Sequence, residues 1–224
     1  MISFFKTIVY IPLYNFLVLL LNVSWIDIGI ATVILTILEK IILYPLSKKA
    51  LVTQLKMKEK EGELNAIKEK YKDSQEQALK IMEFYRTNKI NPFSSIFTVF
   101  IQIPIIYSLY YIFSRSGLPM VNHDLLYSFI KAPEQISALF LGFWDITKKS
   151  AVLAVLAGLS SFLQMHFAGQ SASNNDETAG NSEDFSTIMM KQMKFTMPVI
   201  VFLISWRISG VIALYWLVSN LLGI

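Results

Sequence analysis

The chain contains a series of apolar stretches long enough to cross a lipid bilayer as helices, and this feature constrains its fold more than any other. A helical crossing needs about 20 residues, with a range of roughly 17 to 25. The final apolar region exceeds one crossing, and Arg207 and Gly210 within it predict a tight turn at the membrane surface. Five spans are therefore predicted, at residues 28–46, 93–113, 150–168, 190–206 and 208–224.

The composition also indicates an all-α integral membrane protein. Hydrophobic residues make up 54% of the chain and charged residues only 16%, whereas about a quarter of the residues in a soluble domain carry charge. The chain contains no cysteine, which excludes disulfides, thiolate metal ligands and cysteine nucleophiles. Because only His123 and His166 remain as imidazole ligands, we expect no metal and no cofactor.

The N-terminal stretch, residues 1–27, is about as long as a span but is interrupted by polar residues and a proline. Lys6, Pro12 and Asn15 are these interruptions. We interpret the stretch as an interfacial helix with its lead-in rather than as a sixth span. A signal peptide is disfavoured because no small-residue cleavage site follows.

Charge placement predicts the orientation of the spans. The segment 47–92 holds 11 of the 20 lysines and arginines, so the positive-inside rule places it in the cytoplasm. The N-terminus and the loop 114–149 are then extracytoplasmic, and the polar loop 169–189 and the C-terminus are cytoplasmic. Four basic residues in the outer loop weaken this bias without reversing it, namely Arg115, Lys131, Lys148 and Lys149.

The cytoplasmic segment 47–92 is predicted to form a helical hairpin. Asp73 is the expected N-cap of the second helix, with Glu76 three residues later. A solvated coiled-coil spacer is the alternative interpretation. The apolar residues of the first helix recur at mostly helical spacing, at Leu51, Leu55, Leu64, Ile67 and Tyr71.

Polar residues recur within the predicted spans. Thr32, Thr36 and Lys40 are four residues apart and therefore project from one helical face. Glu39 is expected to point about 100° away from Lys40 and to be a poor partner for it. Polar side chains in spans usually face the bundle interior or a water-filled cavity. Together with polar residues from other spans, this face predicts a hydrophilic groove open to the cytoplasm. The residues that the other spans contribute to this groove are Gln102, Gln164 and Tyr215.

Each groove residue also has a simpler interpretation. Lys40 lies about five residues from the predicted membrane boundary, so its ammonium group can reach the interface by snorkelling. Gln102 and Gln164 can serve as hydrogen-bonding residues between helices. Tyr215 can belong to an aromatic belt at the membrane surface.

Two motifs resemble a known family. The stretch "NPFSSIFTVFIQIPIIYSLYYIF" is similar to the Asn-Pro and Gln-x-Pro-Ile signature of the YidC/Oxa/Alb membrane protein insertases. The stretch "KFTMPVIVFLISWRISGVIALYWLVSNLLGI" resembles their paired C-terminal spans. The order of spans, basic hairpin and loops is also similar over nearly the whole chain.

The resemblance implies an insertase in a bacterial inner membrane and not an enzyme. A cationic groove would receive hydrophilic parts of nascent membrane proteins while their apolar segments slide into lipid. The implied partners are nascent membrane proteins and the lipid bilayer, with the ribosome and a Sec-type translocon as further candidates. Sequence-specific nucleic-acid binding is not expected, and no nucleotide-binding P-loop occurs in the sequence.

The resemblance also assigns roles to individual residues. The family's groove arginine, five residues before the proline of the first core span, corresponds to Lys40 here, which keeps the charge but lacks the five-donor guanidinium. The prolines inside the spans have a simpler interpretation, in which they do no more than kink their helices. A face along which the substrate slides is implied at Pro104, Met197, Pro198, Ile200 and Ile204.

Two other functions remain as alternatives. A small-solute transporter is expected to show repeated halves and a binding site at the membrane midplane, and no internal repeat is visible in the sequence. A membrane-anchored scaffold would use the cytoplasmic hairpin but would not need the polar residues of the predicted groove.

Overall fold

A computed structural model describes residues 3–91, 94–114, 118–170 and 185–224 of the chain. Most of these residues are helical, so the predicted all-α class is confirmed. The predicted cytoplasmic loop 169–189 lies largely outside the described residues. The helices are α1 Ser3–Phe5, a π-helical turn Lys6–Tyr10, α2 Ile11–Leu21, α3 Ile28–Glu59, α4 Glu61–Lys70, α5 Ser74–Thr87, α6 Ser94–Ser114, a 3-10 turn His123–Leu125, α7 Ala151–Gln170, α8 Phe185–Arg207 and α9 Gly210–Leu221.

The N-terminal helix α2 packs one face into the protein core. Its polar Asn15 is buried, because its side chain bonds the loop that follows α6. The Asn15 amide donates to the Leu125 carbonyl oxygen at 2.7 Å, and its Oδ1 accepts from the Tyr127 N–H at 2.8 Å. Tyr14 provides a third hydrogen bond to this loop, since its hydroxyl accepts from the Asn122 N–H. This helix therefore positions the loop that follows α6.

The long helix α3 begins at a well-defined cap. Asp27 is its N-cap, and the Asp27 Oδ1 accepts a hydrogen bond from the Ile30 N–H at 2.8 Å. The helix then continues through Pro45 to Glu59, although the predicted span ends at residue 46. At 1.5 Å per residue its 32 residues extend about 48 Å, longer than the roughly 30 Å hydrocarbon core of a bilayer.

By length and composition, α3 is the one helix in the described part of the chain that is long and apolar enough to cross a membrane. The five crossings therefore remain a prediction. The other apolar helical segments within the described residues are shorter, namely Lys6–Leu21, Phe100–Ser114, Ala151–Phe167, Phe195–Arg207 and Gly210–Leu221.

Helices α4 and α5 pack against each other and form a small core of their own. Leu64, Phe84 and Ile90 are its buried residues. Asp73 caps α5 as predicted, because its Oδ1 accepts from the Gln75 and Glu76 N–H groups. The chain breaks helical geometry at residue 60, so the first arm of the hairpin consists of the end of α3 followed by α4.

The main bundle is formed by α3, α6, α7, α8 and α9. Helix α7 packs against α8 and α9, and α3 packs against α9 and α6. A break between two helices lies where the turn was predicted, because α8 ends at Arg207 and α9 begins at Gly210. The Gly210 N–H donates to the Lys148 carbonyl oxygen at 2.7 Å. A Cβ at this glycine would lie 3.0 Å from the Ile146 carbonyl oxygen, so the loop approaches α9 closely there.

The loop after α6 contains a short β-hairpin that the sequence analysis did not predict. Its strands are β1 Leu139–Phe140 and β2 Trp144–Asp145, paired antiparallel with Phe140 opposite Trp144. Strands of two residues are too short to produce an alternating pattern that is recognisable in the sequence.

Candidate functional site

Two residues of the predicted groove meet between α6 and α9. The Gln102 amide nitrogen donates hydrogen bonds to the Tyr215 hydroxyl and, at 3.1 Å, to the Ser219 hydroxyl. Tyr215 is fully buried, and Ser219 lies one helical turn further along the same face of α9. A polar contact in the bundle interior therefore joins residues that are more than 100 positions apart in the sequence.

Glu39 adds an acidic group to this cluster. Only 8% of the residue is exposed, and its carboxylate lies close to the Tyr215 hydroxyl. Among the described residues, no hydrogen bond of ordinary geometry reaches either carboxylate oxygen. A buried carboxylate without such bonds is energetically costly. Glu39 is therefore an unusual polar side chain for the interior of the described bundle.

The sequence alone did not place Glu39 in the predicted groove, because the direction of its side chain was compared only with that of Lys40. A signal was available, since Glu39 follows Thr32 by seven residues. Seven residues at about 100° each bring a side chain back to within about 20° of its starting direction. Glu39 therefore shares the face of Thr32 more closely than Lys40 does.

The two threonines of the predicted groove are completely buried. The Thr32 hydroxyl donates to the Ile28 carbonyl oxygen at 2.7 Å, and the Thr36 hydroxyl donates to the Thr32 carbonyl oxygen at 2.7 Å. Both donors are thus used within α3, as is common for threonines in helices. These side chains can present only their hydroxyl oxygens, as acceptors, to anything outside their own helix.

Lys40 lies at the edge of the buried face of α3. The residue is half-buried, and the next two residues, Ile41 and Ile42, are both mostly exposed. Its charge is close enough to Glu39 for an attractive interaction between the two. The structure therefore places one acidic and one basic side chain next to each other, with the acid directed inward.

Gln164 lies beside Gly223, just beyond the C-terminal end of α9, and no hydrogen bond to Gln102 or Tyr215 is seen among the described residues. It is half-buried, and a Cβ on Gly223 would collide with its amide group. A second polar contact joins α7 to α9 nearby, because the Asn220 amide donates to the Ser160 hydroxyl at 3.1 Å. Polar contacts of α9 with α6 and with α7 therefore occur between Tyr215 and the C-terminal end of α9.

The residues of the implied sliding face differ in exposure. Pro198 is buried against α7, where a Cβ on Gly158 would lie 3.4 Å from the Pro198 carbonyl oxygen. Pro104 and Met197 are half-buried. Ile200 and Ile204 lie on the outward surface of α8, where they are exposed.

The described part of the chain offers no obvious metal site. Within it, no group of three or more histidine, aspartate or glutamate side chains is placed to hold an ion. The candidate site is therefore the polar cluster itself, defined here as Glu39, Lys40, Gln102, Tyr215 and Ser219.

Comparison with known proteins assigns the chain to a family. The sequence profile described as 60Kd inner membrane protein matches residues 19–224. The membrane protein insertase YidC of Fusobacterium nucleatum is 33% identical over 220 residues, which cover 96% of this chain and 93% of that protein. The membrane protein insertase YidC of Francisella tularensis subsp. novicida is also 33% identical, over the whole of this chain but only 35% of that longer protein.

These matches confirm the resemblance drawn from the two sequence motifs, and they extend over both the α3–α6 region and the C-terminal helices. The chain belongs to the 60Kd inner membrane protein family, the family of the YidC/Oxa/Alb proteins.

Proposed function

We propose that this protein is a membrane protein insertase of a bacterial inner membrane. It receives hydrophilic segments of nascent membrane proteins in a polar groove, while their apolar segments pass into lipid. The observation that carries the proposal is the polar cluster between α3, α6 and α9, inside a bundle whose outer faces are apolar. The names of the similar proteins support the same activity.

The proposed mechanism follows from the physics of the bilayer. A polar loop entering hydrocarbon loses its water, at several kcal/mol for each polar group left without a partner. Gln102, Tyr215 and Ser219 provide amide and hydroxyl groups that can both donate and accept. A groove lined by them lowers the barrier for a polar segment. Partition of the apolar segment into lipid then drives insertion without a nucleotide and without covalent chemistry.

Lys40 supplies the positive charge of the proposed groove. A single cation near a partly dehydrated surface attracts acidic segments of a substrate. In this chain the adjacent Glu39 opposes that field, so the groove is weaker as an anion receiver than one with a lone cation. Thr32, Thr36 and Gln164 are proposed as further lining residues, with the threonines acting through their hydroxyl oxygens.

The sliding face is proposed to lie along the outer surface of α8. Ile200 and Ile204 are exposed there and offer an apolar track beside lipid. Met197 and the two helix prolines, Pro104 and Pro198, shape the adjoining surface. The substrate's apolar segment would move along this track, because it remains in an apolar environment throughout.

The proposed topology has five crossings. The N-terminus and the loop after α6 face the outside, and the hairpin of α4 and α5 and the C-terminus face the cytoplasm. The exposed basic side chains of the hairpin suit a ribosome, and a Sec-type translocon is a further proposed partner. The lipid bilayer itself is the third partner.

Photo-crosslinking from purified protein in liposomes tests this function. A benzophenone amino acid is placed at Gln102, at Ile204, and at the exposed loop residue Met120 as a control. Ribosome-bound chains of a single-span membrane protein are then added. We expect crosslinks from Gln102 to the polar flank of the substrate and from Ile204 to its apolar segment, with none from Met120.

The same experiment separates the alternatives. A probe at Leu79, an exposed residue of α5, reports contacts of the cytoplasmic hairpin. A scaffold would crosslink to its partner from Leu79 alone, and a small-solute transporter would crosslink to nascent chains from none of these positions. Either pattern would contradict the insertase function.

A further inference from the structure

The β-hairpin of the extracytoplasmic loop is attached to the first turn of α3. The Asp27 Oδ2 accepts a hydrogen bond from the Leu141 N–H at 3.0 Å, while its Oδ1 caps the helix. The Ile28 N–H donates to the Ser137 carbonyl oxygen at 3.1 Å. The Phe140 ring covers Gly29 so closely that a Cβ there would collide with it. The hairpin therefore lies at the level where α3 begins.

The other face of the hairpin is apolar and uncovered. Leu139, Leu141 and Phe143 are 44%, 59% and 73% exposed, respectively. The stretch from residue 139 to residue 144 reads "LFLGFW" and carries no polar side chain. A hairpin with one face on the core and one in water would alternate apolar and polar residues. This hairpin is apolar on both faces except for Asp145, which lies opposite Leu139 at its open end, so most of its outer face is not built for water.

The turn of the hairpin holds a leucine in an unfavourable backbone conformation. Leu141 has φ 54° and Gly142 has φ 83°, and the Phe143 N–H donates to the Phe140 carbonyl oxygen at 3.3 Å. Turns with positive φ at both central residues favour Asn, Asp or Gly at the first of these positions. A bulky residue there is a genuine outlier. Such strain at an exposed position suggests that the Leu141 side chain has a role of its own.

We propose that the outer face of this hairpin, together with Trp25, is an anchor that inserts into the outer surface of the lipid bilayer. The proposal rests on the crossing of the membrane by α3 put forward above. Trp25 is 70% exposed and precedes the Asp27 cap by two residues. Trp and Tyr side chains are enriched at the surface level of membrane proteins.

Two further observations favour lipid over a protein partner. Further along α3 the outward residues, including Ile41, are themselves exposed and apolar, so the anchor lies at one end of a helix whose outer face the proposed function places in lipid. Lys149 follows β2 and is exposed, beside Lys148, which pairs with Asp145, and an exposed lysine suits the anionic headgroups of a bilayer. The anchor would hold the loop, and the α9 end bonded to it, at a fixed depth.

Depth-dependent fluorescence quenching tests this inference. The chain has no cysteine, so single cysteines can be labelled with an environment-sensitive dye. The full-length protein is placed in vesicles of phosphatidylethanolamine and phosphatidylglycerol, with nitroxide-labelled lipid or with aqueous iodide as quencher. Leu141→Cys and Phe143→Cys are the test variants. Ile41→Cys on α3 is the lipid-facing control, and Asp124→Cys in the outer loop is the water-facing control.

We expect the dyes at positions 141 and 143 to be quenched several-fold more by nitroxide lipid than the dye at position 124, and to be protected from iodide. If these dyes behave like the dye at position 124 while the dye at position 41 is quenched by nitroxide lipid, the insertion of the hairpin is contradicted and the crossing by α3 is retained. If position 41 is also unquenched by lipid, the proposed crossing by α3 fails and the anchor fails with it. Protection from both quenchers would indicate a contact with another protein copy and would also overturn the proposal.

A second variant separates the side chain from the fold of the turn. Leu141→Asn places a residue there that tolerates positive φ, so the hairpin should keep its shape. We expect this change to reduce lipid quenching of a dye at position 143. Unchanged quenching in the Leu141→Asn background would show that Leu141 does not contribute to the anchor.

Discussion

The Gln102 amide donates a hydrogen bond to the Tyr215 hydroxyl and so joins α6 to α9 in the bundle interior. The same amide bonds Ser219 on the next turn of α9. Gln102 was a candidate both for a groove residue and for a hydrogen-bonding residue between helices. The contact shows that Gln102 joins the two helices, and its place in a groove for a polar substrate is part of the proposed function.

A double-mutant cycle of Gln102→Leu and Tyr215→Phe should reveal coupling between these residues. Hydrogen bonds between helices in membranes average about 0.6 kcal/mol and reach about 1.7 kcal/mol, so we expect a coupling free energy in this range. The measurement is the free energy of unfolding in mixed micelles of increasing denaturing detergent. Tyr107→Phe, which changes an exposed tyrosine of α6, serves as the control for loss of a hydroxyl. Additive effects within error would mean that the bond contributes nothing to stability.

Substitutions of Lys40 and Glu39 should change substrate preference in opposite directions. With a substrate that has an acidic outer tail, we expect Lys40→Ala to lower insertion several-fold and Lys40→Glu to abolish it, while Lys40→Arg retains or improves it. Glu39→Gln should improve insertion of the same substrate, because it removes the charge that opposes Lys40. The measurement is the fraction of substrate protected from protease in proteoliposomes, at matched amounts of protein.

A substrate with an uncharged outer tail is the control for these variants. We expect its insertion to change much less in all four variants, because its polar groups carry no charge. If Lys40→Ala equals the unmodified protein on both substrates, Lys40 only reaches the membrane surface by snorkelling. The groove would then depend on the uncharged residues Gln102, Tyr215 and Ser219 alone.

The proposed topology predicts which loops an impermeant reagent reaches. A cysteine at Asp124 should be labelled by a thiol reagent added outside intact cells, because the proposed topology places the loop after α6 outside. Cysteines at Lys72, at the tip of the α4–α5 hairpin, and at Asn175 should be labelled only after the cells are opened. Labelling of Lys72→Cys or Asn175→Cys from outside intact cells would contradict the proposed topology.

Asp145 gives a prediction about pH. Hydrogen bonds from Thr147, whose hydroxyl lies 2.6 Å from the Asp145 Oδ1, and the nearby Lys148 ammonium hold the pKa of this carboxyl below its ordinary value. A lowered pKa means that these contacts stabilise the loop above the pKa of the unfolded chain, near 3.9. That stability is lost as the pH falls through the lower, folded value.

Carboxyl carbon NMR shifts of the protein in nanodiscs check this prediction. We expect the Asp145 carboxyl to titrate below about pH 3.9, and its midpoint to rise toward that value in Thr147→Ala. Asp124, which is exposed in the same loop, is the comparison within each sample. A midpoint for Asp145 that Thr147→Ala leaves unchanged would contradict the role of the hydroxyl.

Local features of the chain were predictable from sequence because their signals act over a few residues. The N-cap at Asp73 depends on its own side chain and the next three N–H groups. The turn between Arg207 and Gly210 depends on a break in an apolar run that is too long for one helix. The order of helices and the two family motifs follow from the same short-range patterns, and they were sufficient to identify the family.

The direction of polar side chains depended on packing between distant segments. Asn15 seemed to interrupt a helix, yet it is buried because the loop more than 100 residues later supplies its partners. Glu39 lies beside Tyr215 only because α3 packs against α9. The β-hairpin exists because Asp27 and Gly29 hold its backbone and its Phe140 ring against α3. A sequence specifies which face of a helix is polar, but only tertiary packing decides what that face meets, since these contacts join residues far apart in the sequence.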